Sequence, residues 1–380
     1  MSALHEAFAK NFTSGREVGA AVSIFDANGV VESLHGGFCD AARTVPWKPE
    51  TLVLIWSATK GLAVACALHA MESAGVEMDA KVGELWPEFA QAGKNNLTFA
   101  HVLSHRAGLC ALDSKSATLL DHESVIRALE AQVPLRGLDD APAYGPRVFG
   151  FILDEIVRRL SGGETLGAYW RRVFAEPLGL DIWIGLPEEF HPRVATILPP
   201  RVQPGSPPDA FAVAFSDPDS LTRRAFSSLA GAPPPSGMNS SRIRSASLPS
   251  LGGIGSAVSL AKFYAMLAAG GRHGANMFFG EKAFRWMTTR LAQGFDGVLQ
   301  MEAAYSAGFM MDPIDAGGQK TRYLLGPSVS AFGHAGAGGS LAFADPERGI
   351  GFAYVMNQME LGVLPNDRCL SLVHAFYSEG

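Results

Sequence analysis

Strand-like segments lie near both ends of this chain, and helical segments occupy its middle. Gly19–Phe25 is a small, apolar, β-prone run, and the turn Ala27–Gly29 joins it to a second strand that begins at Val30. Ser340–Ala344 and Gly351–Asn357 are further β-type runs separated by turn residues. We therefore expect an α/β fold in which one sheet is built from both chain ends and carries an inserted helical domain.

The helical segments carry recognisable start and stop signals. The apolar run Gly61–Gly75 ends at a glycine, as helices often do, and Leu97–Leu109 predicts a helix that is capped by Thr98 and followed by a turn at Gly108. The other predicted elements are helices at Gly150–Leu160, Glu164–Phe174, Leu251–Ala269 and Arg368–Tyr377 and a strand at Tyr323–Phe332.

These elements predict two domains. Residues 1–62 and 250–380 form a discontinuous α/β domain, and residues 63–249 form a mainly helical, all-α domain. Within the second domain, residues 187–249 are rich in Pro, Ser, Gly and Ala and show little periodicity. We expect a long loop region there, with room for short helices, near the entrance of a site.

Composition argues against several classes of partner. The 380 residues are 47% hydrophobic and 18% charged, which is ordinary for a globular protein with a sizeable core. The net charge is −6 and no run of five or more basic residues occurs, so nucleic acid is not an expected partner. No segment approaches the roughly 18 apolar residues of a membrane span.

The cysteines and the first residues favour a cytoplasmic protein. The four cysteines match no zinc pattern, and Cys66 and Cys110 lie in apolar surroundings that predict buried free thiols. The first residues lack the basic and apolar regions of a signal peptide. His101 and His105 lie one helical turn apart, but no further ligand follows at zinc spacing, and a hydrogen-bonding role at the helix end is expected instead. We expect reduced thiols, no metal and no cofactor.

Ser57 and Lys60 are the first catalytic candidates. They stand at i and i+3 where the strand-like run Thr51–Trp56 meets an apolar helix, so both side chains lie on one face. A serine hydroxyl needs an adjacent base to act as a nucleophile. Burial and the positive end of the helix both favour the neutral form of a lysine. The Ser57 N–H can also help to bind an oxyanion.

Two later segments can complete such a site. Tyr144 precedes a predicted helix, and a phenol held near the Ser57–Lys60 pair could relay a proton to a leaving group. The stretch Gly333–Ser340 contains four glycines and His334 and precedes a strand-like run. Glycines in such a setting imply close approach to the backbone, often by a ligand. An N–H of this stretch could complete an oxyanion hole with that of Ser57.

Taken in order, these elements resemble the serine β-lactamase/penicillin-binding-protein superfamily, class C-like, and in pattern most closely its family VIII carboxylesterases. The family pattern is S-x-x-K, then Y-x-N or a lone Tyr, then K-T-G or H-x-G before the last strands. Residues 103–109 (LSHRAGL), 144–162 (YGPRVFGFILDEIVRRLSG) and 176–180 (EPLGL) also resemble family segments. The resemblance implies an antiparallel β-sheet flanked by helices, with an inserted all-α domain.

The resemblance also implies the role of each residue. Ser57 is the nucleophile that becomes acylated, Lys60 and Tyr144 share the general-base role, and Tyr144 protonates the leaving group. The backbone N–H groups of Ser57 and Ala337 form the oxyanion hole. The residues expected to bind substrate are Trp56, His334, Ala335, Gly336 and Gly338.

Two departures from the family pattern favour ester substrates. Pro146 stands where Asn is common, which removes a side-chain amide contact to the substrate, and His334 stands where K-T-G members have Lys. A neutral histidine attracts a substrate carboxylate less than a lysine ammonium does. Residues 253–257 (GIGSA) miss the G-x-S-x-G elbow, so an α/β-hydrolase has little support.

The leading hypothesis is a serine hydrolase that cleaves small-molecule carboxylic esters of short-to-medium acyl chains through an acyl-enzyme on Ser57. Alternatives on the same scaffold are a β-lactamase or D-amino-acid peptidase and an acyltransferase that passes the acyl group to an alcohol. A catalytically silent, ligand-binding relative is the alternative of another class. The presence of Ser57, Lys60 and Tyr144 together speaks against it.

Overall fold

An antiparallel sheet connects the two ends of the chain. The computed structural model describes residues 2–138, 140–201 and 208–378. The strands in chain order are β1 (Gly19–Asp26), β2 (Gly29–Gly37), β3 (Val53–Leu54), β4 (Ile182–Ile184), β5 (Gly253–Gly255), β6 (Arg272–His273), β7 (Asn276–Met277), β8 (Ala292–Asp296), β9 (Met301–Tyr305), β10 (Met310–Met311), β11 (Phe332–Ala335), β12 (Leu341–Asp345) and β13 (Ile350–Met356). The largest sheet has the order β2-β1-β13-β12-β11-β10-β9-β8, and its neighbours are antiparallel.

The predicted hairpin β1–β2 and its partner strand β13 form one side of this sheet, with β2 at the edge. The Asp26 carboxylate accepts hydrogen bonds from the N–H groups of Asn28 and Gly29, which closes the turn between β1 and β2. On its other side β1 pairs with β13, so that Ala20 lies opposite Met356. These pairings confirm the predicted α/β fold with an antiparallel sheet built from both chain ends.

Helices cover both faces of the sheet. The helices in chain order are α1 (Ala3–Thr13), α2 (Thr59–Ser73), α3 (Val82–Leu85), α4 (Phe99–Leu103), α5 (His122–Ala131), α6 (Phe149–Ser161), α7 (Leu166–Trp170), α8 (Glu176–Leu178), α9 (Ala210–Ser216), α10 (Leu221–Ser227), α11 (Ser241–Arg244), α12 (Ala257–Ala268), α13 (Glu281–Thr288) and α14 (Asp367–Ser378), and only some of them pack on the sheet. Alternate residues of β1 point to opposite faces, where α1 and α14 cover one core and α12 covers the other.

The close packing of α12 on the sheet depends on a glycine. A Cβ at Gly351 of β13 would lie 2.2 Å from the Ala265 nitrogen and 2.3 Å from the Ala261 oxygen. Both atoms belong to the backbone of α12, so neither can move aside without displacing the helix. Gly351 therefore sets how closely this helix lies on the strand.

Helix α2 is the central element of the helical region. Its residues from Thr59 to Leu68 are all buried, and it packs against α6 and α7. A helix that is apolar on all sides is usually buried. The apolar run Gly61–Gly75 therefore predicted a buried helix. The thiols of Cys66 and Cys110 are buried and unpaired, as predicted.

The strand predicted at Tyr323–Phe332 is wrong, because only Phe332 belongs to a strand. The backbone N–H groups of Leu324 and Leu325 donate to the Asp312 carboxylate, at 3.2 and 2.9 Å, and not to a neighbouring strand. The Lys320 ammonium donates to the Gly326 carbonyl at 2.7 Å. Side chains thus satisfy backbone groups that a strand would pair.

Two other differences concern strands that were not predicted and a helix that begins later than predicted. Strands β8 and β9 were not predicted, since they contain Gly, Asp, Glu, Met and Ala, which are not typical of strands. The helix predicted from Leu251 begins only at Ala257, because the Ser256 hydroxyl caps it by accepting from the Ser259 N–H. The preceding residues form β5.

The region from 187 to 249 contains short helices between irregular segments, as expected, in its described residues; residues 202–207 lie outside them. The division into residues 1–62 with 250–380 and residues 63–249 stays a prediction. In the part of the chain that the structure describes, no helix is both long and apolar enough to cross a membrane.

Candidate active site

Ser57 lies where a small sheet meets the buried helix α2. Strand β3 pairs with β5, and a single 3-10 turn, Trp56–Ala58, leads directly into α2. Trp56 has a φ of 51°, the left-handed region that bulky residues rarely adopt. Such a conformation costs on the order of 1–3 kcal/mol and persists where the surrounding structure holds it. This turn presents the Ser57 hydroxyl at the N-terminal end of the helix.

Lys60 is fully buried beside Ser57. Its Nζ lies 3.1 Å from Ser57 Oγ, 2.8 Å from the Pro146 carbonyl oxygen and 2.8 Å from the Ser250 carbonyl oxygen. Among the described residues, no carboxylate forms an ion pair with Lys60. Burial lowers the pKa of Lys60 well below its usual value. The amine therefore favours its neutral form while it contacts the serine hydroxyl.

Tyr144 completes the contacts around this pair. Its ring centroid lies 5.0 Å from Lys60 Nζ, and its hydroxyl interacts with the Ser57 side chain. Burial raises the pKa of Tyr144, and the Ser57 side chain opposes this effect in part. The phenol is therefore protonated at neutral pH and can donate its proton. The structure brings Ser57, Lys60 and Tyr144 together as predicted from their motifs.

The glycine-rich stretch Gly333–Ser340 packs against the segment that carries Ser57. A Cβ at Gly336 would lie 2.4 Å from the Ile55 oxygen and 3.2 Å from the Trp56 Cβ, so only glycine fits at this point. The Ser340 hydroxyl donates to the same Ile55 oxygen at 3.1 Å. These contacts fasten the end of β11 and the following turn, Ala337–Gly339, to the segment that carries the serine.

The backbone N–H groups of Gly336, Gly338 and Gly339 each donate to a backbone carbonyl. Ser57 and Ala337 each lie in a single 3-10 turn, Trp56–Ala58 and Ala337–Gly339. An oxyanion hole needs two backbone donors on facing segments. The assignment of the Ser57 and Ala337 N–H groups to this role stays a prediction.

His334 is fully buried next to Tyr144, with ring centroids 5.8 Å apart. Its Nδ1 lies 2.7 Å from the Ala335 carbonyl oxygen, which can only accept, so Nδ1 carries the proton of the neutral ring. Burial and the nearby Lys60 lower the pKa of His334 to about 3. His334 is therefore an uncharged neighbour of Tyr144 at neutral pH.

A sequence model of the β-lactamase family matches residues 4–368 of this chain. The chain belongs to the β-lactamase family. The match spans nearly all of the chain, and the eight-stranded antiparallel sheet with flanking helices is the fold of serine β-lactamases. This β-lactamase-family protein is accordingly a serine hydrolase.

Relatives of this β-lactamase-family protein include esterases and a penicillin-binding-protein homologue. The esterase/beta-lactamase LipL of Mycobacterium tuberculosis is 30% identical over 370 residues, which cover 93% of this chain and 80% of LipL. A penicillin-binding-protein homologue from Caulobacter crescentus is 35% identical, with a TM-score of 0.87 and coverage of 100% of this chain and 97% of the other. A family VIII carboxylesterase is 33% identical, with a TM-score of 0.86 and coverage of 99% and 96%.

Sequence reasoning did not find every residue that shapes the site of this β-lactamase-family protein. The two carbonyls that hold Lys60, those of Pro146 and Ser250, are backbone groups, and no side-chain motif reports them. A helix-end hydrogen bond was expected for His101 and His105. His101 forms one, because its Nδ1 accepts from the Thr98 N–H at 3.1 Å at the start of α4. His105 lies beyond α4, and its Nδ1 accepts instead from the Gly145 N–H at 3.3 Å, beside Tyr144.

The remaining candidates lie around these residues. Ala335 and Gly336 belong to the segment that adjoins Trp56, and Gly338 packs against Met359. Their contact with substrate stays a prediction, as does that of Trp56 and His334. Within residues 2–138, 140–201 and 208–378, no group of three or more His, Cys, Asp or Glu side chains is arranged to hold a metal ion.

Proposed function

We propose that this protein is a carboxylesterase that cleaves small-molecule esters of short-to-medium acyl chains through an acyl-enzyme on Ser57. The observation that carries the proposal is the set of contacts around the Lys60 amine. A neutral amine has two N–H donors and one lone pair. Two carbonyl oxygens lie at 2.8 Å and the hydroxyl of Ser57 at 3.1 Å, so the carbonyls take both donors and the lone pair faces the serine.

In the acylation step, Ser57 Oγ attacks the carbonyl carbon of the ester. Lys60 accepts the proton of the hydroxyl as the new C–O bond forms, which is the role of a general base. The backbone N–H groups of Ser57 and Ala337 stabilise the negative charge that develops on the carbonyl oxygen. These donors are fixed before the substrate arrives, so they need no reorganisation.

Collapse of the tetrahedral intermediate breaks the bond to the leaving alcohol. Tyr144, whose hydroxyl interacts with the Ser57 side chain, donates its proton to the leaving oxygen, and the proton taken from Ser57 replaces it through Lys60. The alcohol therefore leaves with the proton that the serine lost. Water then attacks the acyl-enzyme by the same path in reverse, which releases the acid and restores Ser57.

The charge around the site supports neutral substrates. Where many members of the family carry a lysine, His334 is buried and uncharged, with a pKa of about 3. Pro146 offers no side-chain amide; its backbone carbonyl binds Lys60 instead. A substrate carboxylate would meet neither a cation nor an amide at these positions, so esters without a charge fit better than penicillin-like or peptide substrates. The relatives that are called esterases agree with this choice.

The test is an assay of the wild type and of Ser57→Ala against four substrate sets. They are p-nitrophenyl esters of increasing chain length, a chromogenic cephalosporin, D-alanyl amides and an ester with added alcohols. We expect the highest kcat/KM on short-to-medium esters and an acyl adduct on Ser57 by mass spectrometry. Ester turnover that survives intact in Ser57→Ala would rule out the assigned nucleophile.

A second candidate function is the cleavage of amide bonds as a β-lactamase or D-amino-acid peptidase. The name of LipL and the penicillin-binding-protein homologue favour keeping it. Cephalosporin turnover well above ester turnover would reverse the order of the two candidates. Product release that increases with added alcohol would instead indicate an acyltransferase.

For the location of the protein, we propose the cytoplasm.

A further inference from the structure

Three consecutive backbone N–H groups around Tyr144 are each bound by a group from elsewhere in the chain. The Ala143 N–H donates to the His105 carbonyl at 2.9 Å, and the Gly145 N–H donates to His105 Nδ1 at 3.3 Å. Between them, the Tyr144 N–H donates to Asp296 Oδ2 at 3.0 Å. The backbone around Tyr144 is therefore held on one side by His105, two residues after the end of α4, and on the other by Asp296 of the sheet.

Asp296 is a fully buried carboxylate at the end of β8, and the mechanism above does not use it. Its Oδ1 accepts from the N–H groups of Val298 and Leu299, at 2.8 and 3.0 Å. Its Oδ2 accepts from the Tyr305 hydroxyl at 2.9 Å in addition to Tyr144. In the described residues no cation pairs with it. Neutral donors alone stabilise this charge, so each of them counts.

We propose that Asp296 is a positioning residue for Tyr144, which couples the outer strands β8 and β9 to the proton relay of the active site. This inference rests on the proposed function, because it gives Tyr144 its catalytic task. The carboxylate does not touch the reacting atoms. It fixes the Tyr144 peptide, and through it the phenol that must meet both Ser57 and the leaving oxygen. A misplacement of about 1 Å can cost about 100-fold in rate.

The molecule contains a matched control for this role. Asp345, at the end of β12, is also fully buried. Its Oδ1 accepts from two turn N–H groups, those of Glu347 and Arg348, both at 3.1 Å, and its Oδ2 accepts from the hydroxyls of Ser328 and Tyr377, at 2.7 and 2.6 Å. The two carboxylates accept from the same kinds of donor, two turn N–H groups and a tyrosine hydroxyl, but only Asp296 accepts from the Tyr144 N–H. Asp345 also lies about 13 Å along β12 from the end of the strand near the site.

The decisive experiment compares Asp296→Asn with Asp345→Asn, using the ester assay and thermal unfolding of the full chain. Asparagine keeps one acceptor oxygen for the turn, but its NH2 group would face the Tyr144 N–H, donor against donor. We expect both variants to lose a similar amount of Tm. Only Asp296→Asn should lose kcat, by about 10- to 100-fold with KM nearly unchanged, while Asp345→Asn stays within about 3-fold of wild type.

Three further arms keep the outcome decisive. If Asp296→Asn does not fold, Asp296→Glu keeps the charge and the acceptors but shifts them by one methylene, and the same loss of kcat is expected. Tyr305→Phe removes a donor without touching Tyr144 and should retain most of kcat. Equal kcat in the asparagine variants of Asp296 and Asp345, or a full kcat in Asp296→Glu, would overturn the inference. Ser57→Ala in the same panel separates the two proposals, because its survival would contradict the proposed function instead.

Discussion

Two lysines of this protein are buried in nearly the same way, and only one lies in the active site. Lys60 and Lys94 are both inaccessible to solvent, and the Nζ of each donates to two backbone carbonyls. Each also lies over an aromatic ring, Lys60 at 5.0 Å from the Tyr144 centroid and Lys94 at 5.4 Å from that of Phe89. Burial and carbonyl partners therefore do not by themselves make a lysine catalytic.

The difference lies in what else each amine meets. Lys60 has a third partner, the Ser57 hydroxyl, which can give up a proton, and no acidic side chain in the described part of the chain favours its charged form. Burial lowers the pKa of Lys94 only to about 8, because the charge of Glu130 acts against it. Lys94 holds the end of α5 in place, whereas Lys60 is placed to act as a base.

The largest expected effect is the loss of activity when Lys60 is replaced by methionine, with the same replacement of Lys94 as the control. Lys60→Met removes the base and should lower kcat/KM for esters by about 10²- to 10⁴-fold, the usual range for acid/base groups. Lys94→Met should leave kcat/KM within about 3-fold. Steady-state assays of the two purified variants check this. Comparable losses in both would show that burial, and not contact with the serine, sets the rate.

Tyr144→Phe makes the surroundings of Lys60 resemble those of Lys94, two carbonyls beside a phenyl ring. We expect at least about a 10²-fold loss of kcat, because the leaving oxygen then lacks its proton donor. Esters with leaving groups of low pKa need less protonation and should lose less, which a series of substituted phenyl esters measures. A near-normal variant would mean that another group relays the proton.

The pH dependence of kcat/KM tests whether Lys60 acts in its neutral form. Lys60 accepts a proton only when neutral, so activity should fall about tenfold per pH unit below its pKa and level off above it. Because burial lowers that pKa well below its usual value, the plateau should be reached well below the pH at which an ordinary lysine becomes neutral. Rates measured from about pH 5 to about pH 9 check this. A limb that rises only at the ordinary pKa of lysine would contradict the buried, neutral amine.

The smallest effect concerns stability at the lysine outside the site. Lys94→Met leaves the carbonyls of Glu130 and Gln132 without their donor, and each unsatisfied buried group costs about 1–3 kcal/mol. We expect a lower denaturant midpoint with activity retained in the folded fraction. Unchanged stability would indicate that water replaces the ammonium at both carbonyls.

The sequence indicated which candidate side chains lie together better than it indicated the groups that hold them. Ser57 and Lys60 share one helix turn, so local spacing reveals their contact. Asp296 and Tyr144 are 152 positions apart and meet through a backbone N–H, which no motif records. The same reason explains the strand predicted wrongly at Tyr323–Phe332, where the distant carboxylate of Asp312 binds the backbone. Local sequence patterns predict helices and strands, but they do not show which side chains from other parts of the chain will bind a backbone segment.

The pairing of β1 with β13 has a consequence for how the protein is made. Ala20 leaves the ribosome long before its partner Met356, with roughly 330 residues of synthesis between them, about 20 to 60 s at ordinary translation rates. Throughout that time the apolar strand β1 has one unpaired edge, which other chains could join. Nascent chains should therefore depend on chaperones during translation, and no hydrolytic activity should appear before the last strands are complete.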